Sequence, residues 1–332
     1  MSREKERILE LLEKGKITSD EALKLLDAIG ASGPKESKET IGNSISDIIK
    51  NSISFALKKT GEVIDVATNS GDKNMYKQDI DQPEDFQTME INLSAGDITV
   101  VPSEGNTIEV FAKSNASLTE EEVENLLRLD REAGHLKVSS KKIKRNTSKS
   151  YGPVNININN SNSMDIIVKI PESLTLQKTT INTSYGDVEV RGNRIENLQI
   201  NSSYGDIEVK GTTGIKLNIN TSYGDITMGF VNFKTIYGNT SMGDADLINV
   251  KGEPEKISLS SSMGDILADL SATETNQEVF ANYKPFVGSA KFTPRFRVFG
   301  DGKHGRKAHY NKRHEVTTDV ICSTSMGDVT IK

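Results

Sequence analysis

The second half of the chain repeats one short motif: Ser, a variable residue, Gly and Asp, followed by alternating apolar and polar residues. Six copies align without gaps inside the motif, and a degenerate seventh begins upstream at Asn92. Intervals of about 20 residues separate the glycines of the first five copies, and the glycine of the sixth follows after the length of three such intervals. Such repetition is typical of solenoids, in which each coil contacts only its neighbours. The sequence therefore predicts a mainly β protein, a β-solenoid or β-helix-like repeat domain with coils of about 20 residues.

The Gly-Asp pair of each copy predicts a corner between two strands. Glycine adopts positive φ at a tight corner without a steric penalty, and the aspartate that follows can hydrogen-bond within the turn. The predicted corner residues are Gly96, Asp97, Gly186, Asp187, Gly205, Asp206, Gly224, Asp225, Gly243, Asp244, Gly264, Asp265, Gly327 and Asp328.

Stacked coils would also bring these aspartates into one row, in which carboxylates repel unless they are solvated, hydrogen-bonded or bridged by a cation. Calcium-binding repeats place several ligands around each ion. One aspartate per coil supplies too few, so the pattern favours turn capping over a calcium site.

Two further rows follow from stacking the copies. The residues before the glycines would form one ladder of Tyr185, Tyr204, Tyr223, Met242 and Met263. Side-chain amides at Asn182, Asn201, Asn220 and Asn239 would hydrogen-bond along a second ladder. An aromatic row can serve as a carbohydrate platform, whereas a ladder flanked by small polar residues is more often structural.

The N-terminal part has a different character. Leucine and isoleucine stripes on either side of Gly15, with a capping box at Thr18 to Glu21, predict a small α-helical hairpin at residues 1–30. A hairpin of this size cannot bury its own apolar faces, so we expect self-association, a partner protein, or packing against the rest of the chain. Residues 31–85 read as a linker that contains an amphipathic helix at 41–60. This helix could lie on an anionic membrane, pair with a copy of itself, or pack in cis.

From Phe86 to the C-terminus, period-two alternation predicts a β-repeat domain at 86–332, interrupted by a helix over residues 118–131. Within it, residues 284–314 carry nine Lys and Arg against one acid, Asp301, a net charge of +8. The whole chain carries −6, so the remainder carries −14.

Aromatic residues interleave with the cations of this basic segment, which could form a solvated hairpin that caps the solenoid. It could instead bind anionic lipid or wall polymer, or nucleic acid. The net negative charge of the chain argues against a general nucleic-acid binder. The candidate anion-binding residues are Arg295, Arg297, Lys303, Arg306 and Lys307.

The sequence contains no recognisable catalytic constellation. The last three of the four histidines, spaced five residues apart, do not share one strand or helix face, and the chain has neither a P-loop nor a G-x-G-x-x-G motif. Its single cysteine, Cys322, excludes an intrachain disulfide and lies in a strand pattern typical of a buried thiol. We therefore predict that the protein is not an enzyme and uses no cofactor.

The N-terminal sequence lacks the uninterrupted apolar stretch of a secretion signal, and no run of about 18 apolar residues occurs. We expect a protein that is cytoplasmic or peripheral at the membrane, with non-classical surface display left open.

The S-x-G-D repeat and the sequence ILELLEKGKITSDEALKLLDAI together resemble the bacterial DUF4097 adhesin-like β-strand repeat family, with a YvlB/LiaX-like N-terminal domain. The resemblance covers residues 3–30 and about 86–332. It implies a non-enzymatic cell-envelope protein associated with antimicrobial-peptide or phage-shock-like membrane stress. Two hypotheses follow: a stress-response scaffold or sensor, and a surface adhesin that binds polysaccharide through the tyrosine row.

Overall fold

Alternation of apolar and polar residues gives extended strands through almost all of the described chain. The computed structural model describes residues 75–332 except for short gaps at 115–120, 122–123, 125, 141–144, 152–153, 161–162, 274, 283–287, 303–304 and 312–313. The predicted hairpin at 1–30 and the predicted helix at 41–60 lie outside the described residues.

Nine strands precede the regular repeats. They are β1 (Met75–Ile80), β2 (Thr88–Leu93), β3 (Ile98–Ser103), β4 (Ile108–Ser114), β5 (Leu127–Glu132), β6 (His135–Ser140), β7 (Arg145–Tyr151), β8 (Val154–Asn160) and β9 (Met164–Pro171), with a 3₁₀ turn at Pro83–Asp85. The helix predicted over residues 118–131 is wrong at its C-terminal end, because Leu127 begins β5. There Leu127 and Leu129 alternate with polar residues, and the strand pairs antiparallel with β6.

Each regular repeat consists of a long strand, a Gly-Asp corner and a short strand, which together are called a rung below. The long strands are β10 (Thr175–Tyr185), β12 (Arg194–Tyr204), β14 (Thr213–Tyr223), β16 (Asn232–Met242), β18 (Lys256–Met263) and β24 (Thr317–Met326). The short strands are β11 (Val188–Arg191), β13 (Ile207–Lys210), β15 (Ile226–Gly229), β17 (Ala245–Ile248), β19 (Ile266–Ala268) and β25 (Val329–Ile331). Between β19 and β24 lie β20 (Asn276–Asn282), β21 (Ala290–Phe292), β22 (Arg297–Gly302) and β23 (Gly305–Tyr310).

The rungs build two long sheets. The twelve-stranded sheet has the order β22-β23-β20-β24-β18-β16-β14-β12-β10-β2-β6-β5, and the eleven-stranded sheet has the order β1-β4-β9-β3-β11-β13-β15-β17-β19-β25-β21. Among the described strands, β7 and β8 pair only with each other. Inward-facing residues of both long sheets belong to one hydrophobic core, as Ile200 of β12 and Val209 of β13 illustrate, both with no exposed surface. The prediction of a mainly β repeat architecture is confirmed, with two long sheets that are largely parallel.

The spacing of 19 residues is the register between neighbouring long strands from β10 to β16, and it rises to 21 between β16 and β18. Asn201 pairs with Asn182 on one side and with Asn220 on the other. The degenerate copy lies 90 residues upstream of its neighbour but pairs in the same way, since β2 and β3 are parallel to β10 and β11 and place Asn92 opposite Asn182. It is therefore a rung of the stack.

The last interval is 63 residues long, which is the length of three coils. The described strands within it do not form three successive coils, so the prediction of an unbroken series of coils is wrong here. Strands β24 and β25 pair directly with β18 and β19, which places Met326 beside Met263. Strands β20 and β21 lie on the far side of β24 and β25. The final copy is thus inserted between two segments that precede it in the chain.

The Gly-Asp corner requires glycine for two reasons. At Gly205 the backbone has φ +130°, which side-chain-bearing residues rarely adopt, and a Cβ built there would lie 2.2 Å from the Gly186 carbonyl oxygen. The equivalent distances at the other motif glycines are 2.0 to 2.1 Å. Neighbouring rungs thus approach too closely at this corner for any side chain.

Each rung from β11 to β17 turns a second time in the left-handed region, after its short strand. The four residues that make this turn are Gly192, Gly211, Phe230 and Asn249, with φ between 51° and 61°. Phe230 is an unfavourable residue for this conformation and is 45% exposed, with the Lys251 ammonium 5.4 Å from the centre of its ring. The four second corners therefore share a backbone conformation but not a residue type.

We predict that Gly205→Ala lowers the free energy of unfolding by about 3 kcal/mol or more, because the added methyl group combines backbone strain with a backbone clash. Gly105→Ala is the matched control, since its Cβ would lie 3.8 Å from the nearest atom, the Ser103 hydroxyl. Chemical denaturation of both variants measures the difference. Equal midpoints would contradict the close approach of the rungs.

Candidate functional site

The corner aspartates form a continuous ladder of hydrogen bonds along one edge of the rungs. The Asp206 backbone N–H donates to the Asp187 Oδ1 at 2.8 Å, and the Asp225 N–H donates to the Asp206 Oδ1 at 2.8 Å. The same bond, at 2.7 to 3.0 Å, joins every neighbouring pair in the series Asp165, Asp97, Asp187, Asp206, Asp225, Asp244, Asp265 and Asp328. One oxygen of each carboxylate except that of Asp328 therefore caps the corner of the next aspartate in this series.

The two ends of this ladder were not identified from the sequence. At one end Asp165 occupies the corner position without a preceding glycine, and burial raises its pKa. At the other end Asp328 accepts hydrogen bonds from the Ser289 N–H at 2.8 Å and the Lys291 Nζ at 3.0 Å. These contacts, that with Lys291 first, lower the pKa of Asp328. The signals were weak: M-D-I-I at Met164 and G-S-A at Gly288 each keep only part of the motif.

We predict that Asp206→Ala destabilises the domain by about 1–2 kcal/mol because it removes the acceptor for a backbone N–H. Asp206→Asn keeps a carbonyl acceptor and should cost less than half as much. Thermal unfolding with calcium chloride and with a chelator compares the variants. If the carboxylates held a cation, asparagine would be as damaging as alanine and calcium would raise the wild-type midpoint.

The tyrosine ladder consists of rings stacked face to face. Tyr185 and Tyr204 have centroids 5.0 Å apart at an interplanar angle of 4°, and Tyr204 and Tyr223 are 4.7 Å apart at 6°. Met242 follows Tyr223 in the register. The faces of Tyr204 are therefore covered by its neighbours, although its side chain is 44% exposed. Sugar stacking requires an open ring face, and only Tyr185, 58% exposed at the end of the row, offers one.

We predict that Tyr204→Ala costs about twice as much stability as Tyr185→Ala, since Tyr204 loses two stacked pairs and Tyr185 loses one. Each aromatic pair contributes about 0.5–1.5 kcal/mol beyond its buried area. Denaturant unfolding of the two variants measures the ratio. An equal or larger cost at Tyr185 would contradict a structural role for the stack.

The asparagine ladder runs across the outer face of the twelve-stranded sheet. The Asn201 Nδ2 donates to the Asn182 Oδ1 at 2.8 Å, and the Asn182 Nδ2 in turn donates to the Asn92 Oδ1 at 2.8 Å. The Asn92 Nδ2 donates to the Glu90 Oε1 at 2.6 Å and is the main cause of the lowered pKa of Glu90. The ladder is thus a directional chain of donors that ends on a carboxylate.

The five candidate basic residues differ in their environment and exposure. Arg295 lies over the rings of Phe296 and Tyr310, each 4.9 Å from the guanidinium, and donates to the Lys332 carbonyl oxygen. Desolvation lowers its pKa. Lys303 lies outside the described residues, and Arg306 is half-buried. Arg297 and Lys307 are exposed on the outer face of the hairpin β22–β23, which forms the edge of the twelve-stranded sheet.

The aromatic residues of the basic segment divide in the same way. Phe296 is buried, and the partly buried Phe292 and Tyr310 contact it at centroid distances of 6.1 and 5.8 Å. Phe286 lies outside the described residues. Phe299 faces outward with 47% of its surface exposed, and the Arg297 guanidinium lies 5.3 Å from its ring centre. Most of the aromatic content of this segment therefore closes the core.

An apolar row crosses six strands on the outer face of the twelve-stranded sheet. It is defined here by consecutive register partners on β16, β18, β24, β20, β23 and β22, namely Tyr237, Ser258, Ile321, Phe280, Lys307 and Phe299. At the other end of the sheet the same register positions are Glu90, Thr180, Gln199 and Asn218. The outer surface therefore changes from polar to apolar along the stack.

This row was not identified from the sequence, although a signal was present. Most outward positions from β10 to β18 are polar, whereas Val279-Phe280-Ala281 and Val320-Ile321-Cys322 place three apolar residues in succession. The middle residue of each triplet must face outward, because its neighbours are buried. Apolar triplets in otherwise alternating strands thus mark this surface.

A second line of residues runs beside the apolar row and contains most of the charged side chains near it. Lys216 and Lys256 lie 5.6 and 5.8 Å from the ring centre of Tyr237. The same line continues through Asp319, Glu278, His309 and Arg297. Cations therefore flank both ends of the apolar row, and two acids lie near its middle.

The cysteine has a structural position. Cys322 is fully buried, and desolvation raises the pKa of its thiol to about 12. Among the residues that the structure describes, no group of three or more His, Cys, Asp or Glu side chains is placed to hold a metal ion. Within the same residues no helix has the length and apolar character needed to cross a bilayer.

The rungs and their repeated Gly-Asp corner define a β-repeat protein. Its candidate binding residues lie on the outer face of the twelve-stranded sheet. The Toastrack DUF4097 family model matches residues 86–284, and the chain belongs to this family. A SHOCT-like domain model matches residues 3–33. No curated protein matches the chain.

Solved structures with similarity to the chain come from several bacteria. One from Bacteroides fragilis, described as a putative adhesin, has 12% identity, covers 78% of this chain and 98% of its own, and has a TM-score of 0.41. A putative cell adhesion protein from Clostridium sporogenes has 12% identity, the same coverage and a TM-score of 0.36. A putative lipid binding protein from Parabacteroides distasonis has 16% identity, covers 79% and 98%, and has a TM-score of 0.36.

Proposed function

We propose that this protein is a non-enzymatic scaffold of the cell envelope that engages an anionic surface, lipid or wall polymer, through the C-terminal end of its twelve-stranded sheet. The observation that carries the proposal is the pair of exposed cations, Arg297 and Lys307, set beside outward-facing aromatic residues. Both cations belong to a segment of net charge +8 in a chain of net charge −6.

The charge distribution supports an oriented contact. The rest of the chain is acidic, so an anionic surface attracts the basic segment and repels the remainder. Each Lys or Arg close to such a surface contributes about 1 kcal/mol. The attraction acts within about 10 Å at 0.1 M salt and within about 3 Å at 1 M. Binding should therefore weaken steeply as salt is added.

We further propose that residues 1–30 supply the protein–protein contact of this scaffold, with a second copy or with a partner protein. The match of residues 3–33 to a SHOCT-like domain supports a separate module at this end. Such a division would let one end of the chain recruit while the other contacts the envelope under antimicrobial-peptide or phage-shock-like stress. The corresponding location is cytoplasmic or peripheral at the membrane.

A surface adhesin that binds polysaccharide through the tyrosine row is the second candidate. The open face and high exposure of Tyr185 favour it. Because the inner rings cover one another, this site would accommodate one sugar at the end of the row. Titration with oligosaccharides, monitored through Tyr185→Ala, distinguishes this function from the anionic contact.

We predict that Arg297→Ser/Lys307→Ser weakens binding of the full chain by about tenfold to thirtyfold to whichever anionic probe the wild type binds, vesicles or glycerol-phosphate polymer. Lys178→Ser/Arg194→Ser is the matched control, since it removes two exposed cations elsewhere on the chain. Co-sedimentation across a salt series measures the effect. Equal binding by the two double variants, or no binding by the wild type to either anionic probe, would overturn the proposed function.

A further inference from the structure

We propose that the anionic surface is a lipid bilayer and that the apolar row enters its headgroup layer. This inference rests on the proposed function and deepens it, because it names which of the two anionic ligands the site fits. Phe299, Ile321 and Phe280 would supply the apolar contact, and Arg297 and Lys307 would supply the electrostatic one.

The arrangement of the row gives a linear contact. Its six positions lie on adjacent strands in one register, so they cover about 24 Å at the usual strand spacing. All of them project from the same face of the sheet, because residues directly opposite in register share a face. A row on one sheet face can meet a planar surface along its whole length.

The exposure of these residues distinguishes a bilayer from a soluble polyanion. Phe299 is 47% exposed and Ile321 is 36% exposed. A phosphate polymer provides no apolar surroundings in which these side chains would be buried. The boundary between headgroups and acyl chains in a bilayer provides them, since it accommodates apolar and aromatic groups beside cations. The apolar part of the surface therefore fits lipid.

The charges around the apolar row restrict the orientation in which it can approach an anionic bilayer. Arg297 and Lys307 lie at the hairpin end, and Lys256 and Lys216 lie at the other end, beside Tyr237. Exposed Glu278 and Asp319 occupy the second line of residues between them. An anionic bilayer attracts both ends and repels these two acids. The hairpin end, which combines the most exposed ring of the row with two cations, makes the deepest contact.

The opposite end of the same sheet provides an internal comparison. Its equivalent positions, Glu90, Thr180, Gln199 and Asn218, hold no apolar side chain. The sheet fold thus tolerates polar residues at these outward positions, so folding alone does not require phenylalanine or isoleucine there. The apolar residues are a local property of the C-terminal end.

The test uses the absence of tryptophan from the natural chain. Phe299→Trp introduces a single fluorophore at the deepest point of the proposed contact, and Ile215→Trp introduces one at another exposed apolar position, 52% exposed on β14. Vesicles of phosphatidylglycerol and phosphatidylcholine in equal parts are added to each full-length variant. We expect a blue shift and quenching by brominated lipid for Phe299→Trp, and neither change for Ile215→Trp.

A second measurement compares vesicles with a glycerol-phosphate polymer. Phe299→Ser should reduce partitioning to the mixed vesicles about tenfold and leave binding to the polymer unchanged, whereas Ile215→Ser should change neither. Vesicle binding with no change in the emission of the Phe299→Trp variant and no loss in Phe299→Ser would overturn the inference and leave the proposed function standing. Binding to the polymer alone would overturn it as well. Binding to neither probe would overturn the proposed function itself.

Discussion

The close contact at the Gly-Asp corner is the constraint on which the rest of the structure depends. Each glycine brings two rungs so near that no side chain fits, and each aspartate accepts the backbone N–H of the next corner. A slip of one residue would put a side chain into that contact and turn every buried strand residue toward solvent. The corner therefore fixes the register, and the register decides which side chains lie in rows.

The sequence predicts the rungs well because their signal is periodic. A spacing of 19 residues places Asn182, Asn201 and Asn220 opposite one another, as the structure shows. The same reasoning fails for the last copy, since an interval of 63 residues is compatible with three coils and only strand pairing decides the order. Periodicity locates rungs in the chain but does not specify the order in which distant rungs assemble.

Other features could not be predicted from the sequence, because backbone geometry or side-chain direction determines them. The second corner is left-handed at Gly211, Phe230 and Asn249 alike, so residue type gives no consistent signal. Arg295 lies in a basic segment but turns inward to cover the end of the core, which net charge cannot reveal. The apolar row required knowledge of which strands are neighbours, because Tyr237 and Phe299 are far apart in sequence.

Constant corners also leave the outer face of the sheet free to vary. Inward residues must fill the core and corner residues must keep the rungs in contact, but outward positions meet only solvent and their neighbours in the row. Substitutions there can accumulate rung by rung without disturbing the fold. The stack can in this way carry a polar surface near Glu90 and an apolar, basic surface near Phe299 on one continuous sheet.

The inserted position of the final rung has a consequence for synthesis. Strands β20 to β23 leave the ribosome before β24 and β25, yet among the described strands it is β24 and β25 that pair them with the rest of the stack. Until Thr317 to Ile331 have emerged, β20 has the hairpin as its sheet partner and the edges of β18 and β19 are uncovered. The surface formed by Phe280 and Phe299 is therefore completed last, and a chain truncated before β24 would contain these residues without joining them to the stack.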